Sequence, residues 1–139
     1  MKKAFVVLAV LCAGCSNNPT TTPSSTVTSP VSETFTSQID AGGSAFRTFT
    51  ALQAGNVTVT LVGGPAGLPV GLGLGLPDQV AGATTRPAGH CRLNTVINAT
   101  AGAAVTTAVD AGSYCAGVFD IGGITAPNQI AFSIRIDHP

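Results

Sequence analysis

The sequence predicts an all-β fold: an antiparallel, jelly-roll-like β-sandwich of about eight strands with one disulfide. Three observations predict it. From Glu33 onward apolar and polar residues alternate in short runs, glycine pairs and prolines punctuate those runs, and no segment carries an amphipathic helical period.

The first strand is expected at 34–39 and the second at 45–52, parted by Gly42 and Gly43. The third, "NVTVTLV" at 56–62, puts Val57, Val59 and Leu61 on one face and Thr58 and Thr60 on the other, the period of two of a half-buried strand. Gly63, Gly64 and Pro65 end it. The fourth, "VGLGLGL" at 70–76, sets Val70, Leu72, Leu74 and Leu76 against a face left bare by Gly71, Gly73 and Gly75. A bare strand face marks close approach of other atoms, here expected to be tight packing beneath a covering loop. It is not a dinucleotide fingerprint, because Leu76 stands where the last glycine is needed and no helix follows. Strands at 92–99, 104–109 and 113–120 come next. Gly122, Gly123 and Pro127 then precede "QIAFSIRID" at 129–137, with Ile130, Phe132, Ile134 and Ile136 alternating.

Only 9% of the residues are charged, six basic against six acidic. No basic block exists that could neutralise phosphates, so no nucleic-acid partner is expected. The two lysines, Lys2 and Lys3, open the chain; without them Arg47, Arg86, Arg92 and Arg135 stand against six acids, a net charge of 4 − 6 = −2.

The N-terminus "MKKAFVVLAVLCAGC" has a positive start, an apolar run and small residues, the layout of a secretory signal. Eleven uncharged residues from Ala4 to Gly14 are too few for a membrane-spanning helix, which needs about 20. Ala13, Gly14 and Cys15 resemble the end of a bacterial lipobox, with Cys12 where leucine is usual and Leu11 one place early. The resemblance implies a signal peptide at 1–14 and lipid on Cys15. Ser16, by the same resemblance, implies sorting to the outer membrane. Two other readings are a CxxC redox pair, which needs a folded setting that this context lacks, and ordinary cleavage giving a free secreted protein. Cleavage after Gly14 without lipid would leave three cysteines, one unpaired. With Cys12 discarded and Cys15 blocked as a thioether, Cys91 and Cys115 remain to pair in an oxidising envelope.

Residues 15–32 then form a lipidated cysteine and an uncharged tether, "SNNPTTTPSSTVTSPVS", too poor in apolar groups to offset its ordering entropy. Residues 33–139 form the sandwich domain. "FRTFTALQAGNVTVTL" and "DAGSYCAGVFDIGG", with Gly112, Tyr114, Val118 and Asp120, resemble opening and late strands of the bacterial pre-peptidase C-terminal domain. That family is a small β-sandwich appended to secreted peptidases, so the resemblance implies an accessory role such as adhesion or localisation. This chain departs from it in carrying two cysteines and no attached peptidase.

No catalytic constellation is visible. Ser44 in "GGSAF" lacks the second glycine of a nucleophile elbow, and Asp40, Asp78, Asp110, Asp120 and Asp137 are dispersed near turns. His90 and His138 are too few for a zinc site, and no calcium loop exists. No metal or cofactor is therefore expected. Asn56 and Asn98 each begin an N-x-Thr sequon. The expected function is a non-catalytic cell-envelope lipoprotein whose sandwich is an accessory module for protein binding or surface structure. Its partners would be the membrane, through the anchor, and an envelope protein or a polysaccharide. Sugar binding is the alternative, and Tyr114 is the one aromatic platform with a polar edge that such binding favours.

Overall fold

A computed structural model of the chain describes residues 29–78 and 90–139. The signal, Cys15, most of the tether and Arg86 lie outside the described residues. Eight strands follow in order: β1 (Val31–Asp40), β2 (Ser44–Ala51), β3 (Gly55–Gly63), β4 (Val70–Pro77), β5 (Cys91–Ala99), β6 (Ala104–Val109), β7 (Gly112–Phe119) and β8 (Gln129–His138). They form two four-stranded antiparallel sheets, ordered β1-β8-β3-β6 and β2-β7-β4-β5.

This is a single long hairpin rolled up. Its innermost pair is β4 with β5, and outward from it β3 pairs with β6, β2 with β7 and β1 with β8. Rolling adds two further contacts, β3 with β8 and β4 with β7, and closes a two-sheet jelly roll. Every connection except β4–β5 crosses between sheets.

The alternation read from the sequence sets the core. Val57, Val59 and Leu61 of β3 and Phe132, Ile134 and Ile136 of β8 face Val70, Leu72 and Leu74 of β4 and Ala116 and Val118 of β7, all buried. The tightest connections use glycine at positive φ. Gly42 (φ 69°) serves the β1–β2 turn, where the Gly43 amide donates to the Asp40 carbonyl at 2.9 Å. Gly102 (φ 94°) serves the β5–β6 turn, where the Ala103 amide donates to the Thr100 carbonyl at 2.9 Å.

β1 begins at Val31, two residues inside the stretch assigned to the tether. Val31 and Ser32 pair with His138 and Asp137, and Ser32 Oγ donates to Asp137 Oδ1 at 2.7 Å. A hydroxyl-rich strand start looks like tether because its ladder partner lies a hundred residues away.

The bare face of β4 is covered by side chains of neighbouring strands. Phe119 lies over Gly71, and Leu93 over Gly73, where an added Cβ would stand 2.7 Å from Leu93 Cδ1. On β7, Gly117 makes the same room for Phe46 of β2. At Gly75 the neighbour is the Arg92 backbone itself. Beside it, Cys91 of β5 and Cys115 of β7 form a disulfide with Cα atoms 5.8 Å apart, although β4 runs between their strands. Flat strands two places apart would be about 9.5 Å apart. The start of β5 therefore bends over β4, and glycine at 75 permits it. The bridge joins residues 24 apart; chain entropy alone makes that about 3.5 kcal/mol.

Candidate functional site

The sandwich has two open sides, and they are closed differently. On one, the edge strands β1 and β2 are clasped by polar side chains: Arg47 of β2 pairs with Glu33 of β1 at 3.6 Å, and Glu33 Oε1 lies 3.2 Å from His138 Nε2. The His138 ring, buried, also packs on Phe49, with centroids 5.0 Å apart, and Phe49 stacks on Tyr114 at 6.1 Å. On the other side β5 meets β6 through one long hydrogen bond, Thr107 Oγ1 to Thr95 Oγ1 at 3.4 Å. There the sheets part and leave a cleft of about 270 Å³.

Asn94, Thr95, Thr107, Asp110, Tyr114 and Leu76 give the cleft its chemistry. A β-bulge builds it. Leu74 pairs with Thr95 but Gly75 pairs with Leu93, so Asn94 is the unpaired extra residue. In an unbroken strand Asn94 and Thr95 would point to opposite faces; here both line the cleft. Tyr114 Oη donates to the Asp110 carbonyl at 3.0 Å, which fixes the ring and holds the β6–β7 turn at the cleft's lip. A shallower depression of about 360 Å³ adjoins it across Asp110, with Asn56 on its far side.

Among the described residues, neither the Asn94 amide nor the Asp110 carboxylate has a hydrogen-bonding side-chain or backbone partner. Asp120 is the opposite case. Its Oδ2 accepts from Gly42 N at 2.8 Å, and its Oδ1 accepts from Gly122 N and Gly123 N at 2.9 Å and from Ile124 N at 3.2 Å. The Gly42 amide first, then those of Ile124, Gly122 and Gly123, hold the carboxyl below the usual carboxylate range, against a partial desolvation that acts the other way. Its own amide donates to the Gly43 carbonyl at 2.9 Å. Asp120 thus ties the β7–β8 loop to the β1–β2 turn.

The remaining residues of interest are scattered. Cys91 and Cys115 are bridged at the start of β5 and within β7. His90 is exposed just before β5, whereas His138 is buried on the other sheet against Glu33, so the two histidines serve different surroundings. Ser44 is exposed at the start of β2. Among the described residues no group of three or more His, Cys, Asp or Glu side chains is gathered as a metal site would require. Sequence reasoning singled out Tyr114 as an aromatic platform but missed Asn94, Thr95, Thr107 and Leu76. The adjacent polar pair Asn94-Thr95 inside a strand was the one local sign of the bulge.

The fold and cleft define a disulfide-bridged jelly-roll sandwich with a small polar cleft at one open side. No family model matches the chain, and no curated protein does. Among solved structures it is similar to the Yersinia pseudotuberculosis-derived mitogen, with a TM-score of 0.54 over 79% of this chain and 87% of that one, at 14% identity. At that identity the likeness concerns the fold alone.

Proposed function

We propose that this chain is a non-catalytic accessory lipoprotein of a bacterial cell envelope, anchored in the outer membrane through lipid on Cys15. Its sandwich binds an envelope protein or a polysaccharide. The observation that supports a binding role is the β5–β6 cleft, where unspent hydrogen-bonding groups converge on one space beside apolar side chains. Two carboxylates elsewhere are spent within the sandwich: Asp120 on backbone amides, Glu33 on Arg47 and His138.

The anchor reading rests on the lipobox-like "AGC" and on where the chain enters the fold. Val31 opens β1 at the end of the sandwich that also carries the disulfide, Asp110 and the C-terminus. The four connections β1–β2, β3–β4, β5–β6 and β7–β8 lie at the opposite end, away from Val31. Membrane fractionation with intact-mass measurement tests this. The native chain is expected in the membrane fraction, starting at Cys15 with diacylglyceryl and acyl mass, and Cys15→Ser is expected in the soluble fraction. A native chain found soluble and unlipidated would leave a secreted binding module instead.

A further inference from the structure

We propose that the β5–β6 cleft binds the pyranose unit of a neutral glycan. The proposal rests on the binding-module reading and names the ligand class for its cleft. A sugar ring is matched by three things at once: an apolar patch for its C–H face, an acceptor for its hydroxyl protons and a donor for its hydroxyl lone pairs. The cleft supplies all three. Leu76, 45% exposed at the end of β4, and the half-exposed Tyr114 ring form the apolar side. The Asp110 carboxylate accepts only, and the Asn94 amide both donates and accepts; both are unspent among the described residues.

The size points the same way. About 270 Å³ lies at or below the low end for drug-sized ligands and suits a single ring. The depression beyond Asp110, with Asn56 on its rim, offers room for a second unit. Charge decides against the other small-ligand classes. An anion would meet Asp110. A cation would gain one exposed, solvent-screened pair, typically worth about 0–1 kcal/mol, and would leave the Asn94 amide and the apolar wall without a role. The bulge at Leu74/Gly75 then has a use, since it sets Asn94 beside Thr95 in the cleft lining.

The test is binding of the full-length chain, with its bridge oxidised, to a panel of immobilised neutral oligosaccharides ending in hexose, deoxyhexose or N-acetylhexosamine. A lysine-rich peptide serves as the cationic control. At least one neutral glycan should be retained, equally at low and high salt. Asn94→Ala and Leu76→Ala should each weaken retention about 10-fold. Asp110→Ala should do the same, and Asp110→Asn, which keeps an acceptor, should cost less. All three side chains are exposed, so melting temperatures should hold and report intact folding.

Three results would overturn the proposal: a flat panel, retention that none of these substitutions changes, or retention of the lysine peptide alone with loss in salt and in Asp110→Asn. Glycan binding does not involve Cys15, so this result and the fractionation result fail independently.

Discussion

Asp120 illustrates how much one side chain can organise when backbone amides converge on it. Four N–H groups from two connections point at one carboxylate, and two of the donors, Gly42 and Gly122, sit at positive φ, where glycine alone is comfortable. A carboxyl held below its ordinary value of 3.8 adds stability that is fully present above that value and is lost as pH falls through the lower folded value. Asp120→Asn removes the charge and turns an NH2 group toward donors that need an acceptor. Melting temperatures from neutral to strongly acid pH should therefore show the variant less stable than the native chain at pH 7. The gap should narrow below about pH 4, as the native carboxylate is protonated. Parallel acid arms for the two proteins would mean that the clamp does not contribute.

At the scale of elements, the glycines of β4 do not serve one common purpose. A Cβ at Gly73 meets the far end of the Leu93 side chain, which has rotamers to yield. A Cβ at Gly75 meets the Arg92 backbone, which the neighbouring Cys91–Cys115 bridge holds over β4. Gly75→Ala should therefore cost about 1–3 kcal/mol, as overpacking against immovable atoms does. Gly73→Ala should cost well under that and gain some strand stiffness. Denaturant unfolding of both variants, bridge intact, decides it; equal losses would mean that the bridge leaves β5 free to shift. The strands themselves were legible from alternation alone: the run at 104–109 matches β6 end for end, and the other bounds move by at most one residue, except the start of β1, which moves by three. Alternation is local, and half-buried strands write it directly into sequence. What covers the β4 glycines was not legible, because Phe119, Leu93 and Phe46 come from other strands and only the rolled register brings them there.

Across the whole molecule the rolled hairpin makes sequence distance a poor guide to proximity. The cleft collects Leu76, Asn94, Thr107 and Tyr114 from four strands and two sheets, so no window of sequence could display it, and the bulge at Asn94 shows only in the pairing register. The same topology fixes where the domain begins. β1 is the outermost strand of the roll and pairs with β8 along all ten of its residues, so the first and last described strands close the structure together. Phe35 packs against the core and meets Phe132 edge-on at 5.7 Å. A chain starting at Ser29 keeps every one of these contacts and should melt with the full-length protein. One starting at Glu33 loses the Ser32–Asp137 hydrogen bond and two ladder pairs, and should fall by a few degrees. One starting at Thr36 loses Phe35 and, with Glu33, the clasp to Arg47 and His138. Losing a half-buried aromatic that packs on the core costs about 1–3 kcal/mol, or some 5–20 °C in a domain of this size. Thermal unfolding of the three chains followed by circular dichroism gives the order. If the chain starting at Ser29 already melts well below the full length, the Ser/Thr/Pro segment contributes to the fold and is no mere spacer.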